Sequence, residues 1–290
     1  MSQGKLTVWL NYTQDELDNQ YNQRVLVPNA NDYMARHALL SREVRKRLKC
    51  QLNVPYGPAP DQILDIFPAQ IPAAPVVIYF HGGAWIRWHK DDNSYQAPAF
   101  VDRNITFVSV NFSLVPKVSL DQLIYECRTS VNWIWRNAAS FDADPERLFI
   151  AGHSSGAHIV GLLAVTNWKR EWSIPSNVIK GAIAASGMYD LEPVKLSSRN
   201  NYLKLDNKAV ERNSAIRQIP NKIPPMIIAY GAKEQIEFRR QSIDFATRLR
   251  QLTHPCAEMD LPNLNHFQVG EEFARQGSPL MRKIYSLIGV

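Results

Sequence analysis

Apolar residues in this chain gather in short unbroken runs separated by stretches with helical spacing. Val76-Val77-Ile78-Tyr79-Phe80 and the run over residues 105–110 have the near-continuous hydrophobicity of strands covered on both faces, as in a mostly parallel sheet. Residues 147–151, 181–185, 226–230 and about 257–260 read as further strands, while residues 53–60 and 62–67 read as an antiparallel hairpin that begins the sheet. Between strands, Ser119-Leu120-Asp121-Gln122 reads as a capping box opening a helix whose Leu123, Ile124, Val131 and Ile134 share one face. It leads through Asp144-Pro145 into the next strand, a right-handed βαβ crossover. Near the start, Thr13 and Glu16 form another capping box before Leu17 and Tyr21, and a second helix is expected over about 32–49. Residues 196–220 are polar and irregular and read as a cap inserted between strands. The predicted architecture is α/β: one domain over 1–290 with a mostly parallel central sheet flanked by helices, an N-terminal helical segment over 1–50 and a small cap at about 191–220.

The run Leu148-Phe149-Ile150-Ala151 passes through Gly152-His153-Ser154-Ser155-Gly156 into an apolar helix. This is the pattern of a nucleophile elbow centred on Ser154. A serine hydroxyl is a poor nucleophile at neutral pH, so it must be exposed on a sharp turn to a base and to backbone N–H donors. Gly152 and Gly156 suit that turn, because a Cβ at either would crowd the neighbouring strand or helix. Directly after the strand at 76–80, His81-Gly82-Gly83-Ala84-Trp85 leaves amides free to face a ligand. The expected oxyanion hole is made by the N–H groups of Gly82, Gly83 and Ser155, with the His81 imidazole merely bonded to nearby backbone.

A serine elbow needs a base and an acid, in the chain order serine, acid, histidine. Glu234 follows the strand at 226–230, and His266 lies in a loop after the strand at 257–260. Ser154, Glu234 and His266 are the candidate triad, with His266 as base and Glu234 fixing its tautomer. Glu237 competes with Glu234 but falls in the first turn of a helix over 238–252, where a carboxylate favours the dipole. Asp190, in Ser186-Gly187-Met188-Tyr189-Asp190, is a third candidate.

Composition narrows the partners. Hydrophobic residues make up 45% of the chain, ordinary for a soluble protein, and no apolar run approaches the roughly 18 residues a membrane span needs. With no long apolar run in Met1 to Leu6, the expectation is a soluble cytoplasmic protein. The net charge of +6 is a mild bias. Its densest run, Arg42, Arg45, Lys46, Arg47 and Lys49, falls on a predicted helix with Leu40, Val44 and Leu48 as an apolar stripe, so it reads as a solvated face and not a nucleic-acid site. Cys50, Cys127 and Cys256 are scattered, and neither they nor the histidines have metal-ligand spacing, so neither metal nor cofactor is expected.

These motifs together resemble the α/β-hydrolase superfamily and, within it, the kynurenine formamidase (arylformamidase) branch and related esterases. The resemblance spans nearly the whole chain. It is carried by Tyr21-Asn22-Gln23-Arg24, Leu64-Asp65-Ile66-Phe67, His81-Gly82-Gly83-Ala84-Trp85, the elbow through His158, residues 186–193, residues 237–242 and His266-Phe267. It implies a cofactor-free serine hydrolase acting on an N-formyl arylamine, with N-formylkynurenine the namesake substrate. Glu234 stands where this branch commonly has Asp. Related expectations are a carboxylesterase or amidase on small aromatic substrates, or a binding protein that has kept the pocket without turnover. The partner is expected to be a small aromatic amide or ester, and a homodimer is compatible with the sequence. Trp85, Trp88 and Tyr189 adjoin the oxyanion segment and a strand end and are the expected aromatic wall, with Trp85 and Tyr189 as the substrate-binding residues; Arg87 could pair with a substrate carboxylate, but solvent-facing is the preferred reading.

Overall fold

A computed structural model describes residues 6–290, so the sequence reading made on Met1 to Lys5 lies outside the described residues. Eight strands form one sheet: β1 (Gln51–Pro55), β2 (Ile63–Phe67), β3 (Ala74–Phe80), β4 (Thr106–Val110), β5 (Ala143–His153), β6 (Ile179–Ala185), β7 (Met226–Gly231) and β8 (Cys256–Leu261). Their order is β1-β2-β4-β3-β5-β6-β7-β8. β2 is antiparallel to both its neighbours, and all pairings from β4 through β3 to β8 are parallel.

The unbroken apolar runs have a plain cause in this arrangement. Val76, Ile78 and Phe80 of β3 enter one core and Val77 and Tyr79 the other; in β5, Leu148 and Ile150 oppose Phe149 and Ala151 in the same way. The first core is closed by the helices Leu120–Asn137, Ser155–Val165 and Ile236–Gln251, the second by Ala97–Val101 and Pro279–Ile288. With both faces dry, a polar side chain must find a partner, as Thr106 accepts from the Ala69 N–H at 3.0 Å and Ser109 donates to the Lys90 carbonyl at 3.3 Å; left unpaired it would cost about 1–3 kcal/mol.

Several expectations are corrected. The helix after Ser119 has half a capping box: Ser119 Oγ accepts from the Gln122 N–H at 3.2 Å, but the Gln122 side chain reaches forward to Glu126 at 3.2 Å instead of back. The cap is not irregular. It contains the helices Glu192–Leu196, Asn200–Leu203 and Asn207–Asn213. Its polar residues serve as local caps, with Asp206 accepting from the Ala209 N–H at 2.7 Å and Asn200 Oδ1 from the Leu205 N–H at 2.6 Å, while Val194, Leu203 and Val210 point into the first core.

The basic face of the helix Ala30–Arg47 is likewise only partly solvated. Arg45 turns inward to Asp65 at 3.2 Å and Asp91 at 3.0 Å, beside the fully buried pair of Lys90 and Asp65 at 2.7 Å. Lys90 also donates to Asn53 Oδ1 at 2.7 Å, so the cluster joins the N-terminal helix, β1, β2 and the segment after His81-Gly82-Gly83. A buried ion pair is weak evidence for stability, yet removing one partner strands the other charge, so this cluster fixes where that segment lies.

Residues 14–25 lie over the cap and the helix Ile236–Gln251. Asp18 Oδ1 accepts from the Ser198 N–H at 2.6 Å, Gln14 donates to the Leu196 carbonyl at 2.9 Å, and Gln235 donates to the Asn22 carbonyl at 2.9 Å. The N-terminal segment thereby forms one wall above the carboxyl ends of the strands.

Candidate active site

Ser154 sits between β5 and the helix Ser155–Val165 with φ 58° and ψ −123°, a conformation costing on the order of 1–3 kcal/mol for a residue with a Cβ. The surroundings impose it. A Cβ on Gly152 would lie 2.5 Å from the Gly156 carbonyl, and one on Gly156 would lie 2.0 Å from the Phe80 carbonyl. Only hydrogen fits at both places, so β3, β5 and the helix close together and the turn projects Ser154 from the sheet. The Ser154 N–H donates to the Ala185 carbonyl at 2.9 Å.

The three residues of the candidate triad meet here. His266 Nε2 is 2.9 Å from Ser154 Oγ, and His266 Nδ1 is 2.8 Å from Glu234 Oε2. Glu234 is itself fixed, its Oε1 accepting from Ser186 Oγ and from the Gly231 N–H, each at 2.6 Å. All three side chains are buried. His266 is not in a loop, as the sequence suggested, but is the first residue of the helix His266–Glu271. Asn265 is its N-cap, and its side chain accepts from the Phe267 and Gln268 N–H groups at 3.1 and 3.0 Å. The ring of His266 is wedged between His153, at 4.6 Å between centroids, and Phe238, at 4.9 Å.

The competing acids are occupied elsewhere. Both oxygens of the fully buried Glu237 accept from Arg240, each at 2.8 Å, and Asp190 pairs with Arg217 at 2.9 Å.

A cavity of about 370 Å³ opens beside Ser154 and His266. That is the size of a small-molecule site. Gly83, one of the predicted oxyanion glycines, lines it together with Ala84; both have positive φ, 103° and 54°. Gly82 lies against the elbow, where a Cβ would meet the His153 carbonyl at 3.0 Å and Ser154 Cβ at 3.3 Å. The Trp85 N–H donates to Ser155 Oγ at 3.3 Å, which ties the segment to the elbow helix.

The expected aromatic wall is placed differently. Trp85 is 1% exposed and absent from the cavity; its indole N–H donates to His158 Nδ1 at 3.2 Å beneath the elbow helix. Tyr189 is fully buried and stacks on Phe245 at 4.4 Å. Each ring has a core partner that chain adjacency to the oxyanion segment does not show. The cavity wall is made by Tyr21, Met34, Tyr202, Phe267 and Trp88, the member of the expected aromatic trio that reaches it, while Arg87 lines it and remains exposed.

Three buried histidines surround the site without joining it. Burial holds His81 and His158 down at about 4 and His153 well below its ordinary value. His81 bonds the Gly82 carbonyl at 2.8 Å, and His158 Nε2 donates to the Asn213 carbonyl at 2.8 Å. In the unfolded chain each would take up its proton near the ordinary value of about 6.5. Between those values the unfolded state holds more protons, so stability rises with pH there and is lost as pH falls from about 6.5 toward about 4. Urea midpoints measured across that range should fall with acid, and less steeply in His158→Gln; a slope unchanged by that substitution would contradict the assignment.

The BD-FAE family model matches residues 64–249, which include the sheet from β2 to β7, the elbow and Glu234. The chain belongs to the BD-FAE family. It is thus an α/β-hydrolase and an enzyme of the hydrolase class acting on small substrates. The BD-FAE chain is 30% identical to the kynurenine formamidase of Danio rerio over 97% of its own length and 98% of that protein's. It is 26% identical to the esterase LipQ of Mycobacterium tuberculosis over 74% of its length and 56% of LipQ's. A solved structure from Silicibacter sp. tm1040 superimposes with a TM-score of 0.83 at 23% identity, covering 95% of this chain and 99% of that one. The Pyrobaculum calidifontis esterase gives 0.73 at 14% identity, covering 92% and 97%. Both likenesses are of fold.

Sequence reasoning about this BD-FAE chain missed three contributors. Ser186 holds the outer oxygen of Glu234, Arg199 enters the cavity from the cap, and residues 18–24 form its N-terminal wall. A signal existed for the last, since Tyr21-Asn22-Gln23-Arg24 was among the segments carrying the resemblance. Ser186 opens another of those segments, residues 186–193, but nothing in the sequence pointed its hydroxyl at Glu234.

Proposed function

We propose that this protein is a serine hydrolase that removes a formyl or other small acyl group from an aromatic amide or ester, in the manner of an arylformamidase. The observation that carries the reading is the hydrogen-bond chain from Ser154 through His266 to Glu234 at the wall of a small, aromatic-lined cavity. With Nδ1–H donated to Glu234, His266 presents a bare Nε2 to the Ser154 hydroxyl. It takes the hydroxyl proton as Oγ bonds to the substrate carbonyl carbon, and the carbonyl oxygen becomes an oxyanion facing the N–H groups of Gly83, Gly82 and Ser155. His266 then gives its proton to the departing arylamine or phenol, leaving an ester on Ser154. Water, deprotonated by the same nitrogen, cleaves that ester and restores the hydroxyl. Glu234 stays ionised and stabilises the imidazolium.

Trp88, Tyr202, Tyr21 and Phe267 supply apolar faces for an aryl leaving group. Aryl formamides and aryl acetates are therefore expected to give kcat/KM at least about tenfold above long-chain esters of aliphatic alcohols, since each misplaced apolar group is worth roughly 1–3 kcal/mol in such a pocket. Rates measured across both series test this, and a preference for long aliphatic esters would overturn it. A carboxylesterase is the second reading, favoured by the similarity to LipQ. Formanilide against phenyl acetate separates the two, because only an amidase must also protonate a poor nitrogen leaving group.

A further inference from the structure

The cavity beside Ser154 contains a cation that the acyl-transfer chemistry does not use. Arg199 stands in the cap, is 6% exposed, and lines the cavity together with Ser154 and His266. All its side-chain partners are neutral: Nη2 donates to the Tyr21 carbonyl at 2.7 Å and to Gln23 Oε1 at 3.3 Å, and Nη1 approaches Met188 Sδ at 3.5 Å. Those contacts occupy three of the five N–H donors a guanidinium carries. Among the described residues no carboxylate forms an ion pair with it.

A buried cation without a counter-ion is costly to keep. Part of that cost is offset by aromatic faces: the guanidinium carbon lies 5.4 Å from the Tyr21 ring centroid, 5.8 Å from Trp85 and 6.0 Å from Phe238. None of these contacts takes up the remaining N–H donors. The rest of the cavity reinforces the sign, for Arg24 and Arg87 also line it and Asp18 is its one aspartate. Asp18 is already engaged by the Ser198 N–H at 2.6 Å. The Trp85 ring, expected at the leaving group, instead serves as a platform for this cation.

We propose that Arg199 is the anion-recognition residue of the pocket, receiving a carboxylate carried on the aryl portion of the substrate, so that anionic aryl amides or esters are preferred to neutral ones. A planar guanidinium matches a carboxylate with paired, charge-assisted hydrogen bonds, which a lysine ammonium cannot reproduce. The proposal takes the word substrate from the hydrolytic reading above, but binding of the anion stands independently of it. The competing role is a brace, because the bond to the Tyr21 carbonyl ties the cap to the N-terminal segment.

The test compares para-formamidobenzoate with its methyl ester, which share ring and scissile bond and differ in charge, in wild type, Arg199→Lys and Arg199→Met. Wild type should favour the anion. The ratio of kcat/KM for anion over ester should fall by roughly 10- to 100-fold in Arg199→Met, mainly through KM, with Arg199→Lys between, as expected for losing hydrogen bonds to a charged group. A pure brace lowers both substrates together and leaves the ratio unchanged, which would overturn the proposal. Calorimetric titration of Ser154→Ala with benzoate and benzamide provides a readout without turnover, and it decides the matter even if Arg199→Met fails to fold. Tighter binding of benzoate supports the anion site, and equal binding refutes it. Should wild type hydrolyse neither formamide while benzoate still binds selectively, the hydrolytic reading fails and the anion site stands; hydrolysis without charge preference gives the reverse.

Discussion

Ser154→Ala is expected to lower kcat by about 10⁴- to 10⁶-fold, the loss seen when the nucleophile of a serine triad is removed and only the remaining pocket acts. The fold should survive. The strained turn is imposed by the contacts that only Gly152 and Gly156 permit and by the Ser154 N–H bond to Ala185, none of which involves the hydroxyl. Among the described residues the hydroxyl has one side-chain partner, His266 Nε2 at 2.9 Å, so its loss should cost about 1 kcal/mol of stability. Thermal unfolding and steady-state rates on an aryl formamide, measured on the same preparation, check both halves. A folded variant turning over at wild-type rate would remove Ser154 from the chemistry.

The second large effect separates two glutamates three residues apart. Glu234→Ala should lower kcat by about 10³- to 10⁴-fold, because His266 then loses the group that fixes its tautomer and stabilises its charged form. Glu237→Ala should leave kcat within a few-fold of wild type. Its cost is structural: the paired hydrogen bonds from Arg240 vanish, a loss of about 1–3 kcal/mol. Activity therefore separates the two variants, whereas denaturation midpoints fall in both, since Glu234→Ala also takes the acceptor from Ser186 Oγ and the Gly231 N–H. If Glu237→Ala is the inactive one and Glu234→Ala the merely unstable one, the acid has been misassigned. Glu234→Asp should fall between, since it keeps the charge but is one methylene short of spanning from Gly231 and Ser186 to His266.

The inner strands β3, β5, β6 and β7 were legible because they are buried on both faces along most of their length, which leaves near-continuous apolar runs, whereas β1 is largely exposed and β8 only half-buried. The elbow was legible because two glycines and a serine at fixed spacing leave a sequence trace of a steric demand. His266 and Glu234 could be found because their order along the chain is constrained by the fold. What escaped was side-chain direction and long-range assembly. Trp85 follows the oxyanion glycines in sequence, but at φ 63° its backbone turns the indole under the elbow helix, to an acceptor on His158 that no local pattern reveals. Arg45 repeats the lesson: helical spacing says which face it occupies, but not that Asp65 and Asp91 lie opposite. The cap helices are four to seven residues long, too short for a 3.6-residue period to show, and their capping polar residues mimic a loop. The cavity wall joins residues near 21, 88, 202 and 267, a set that only the folded chain brings together.

The account depends on Ser154 being an activated nucleophile and not one wall of a binding pocket. Intact-mass and peptide analysis after exposure to a fluorophosphonate tests this directly, because the reagent bonds only to a serine whose proton has a base to take it. The expected result is one adduct per chain, on the peptide containing Ser154, formed rapidly in wild type, much more slowly in His266→Ala and not at all in Ser154→Ala. An unlabelled wild-type chain, or equal labelling of wild type and His266→Ala, would contradict it.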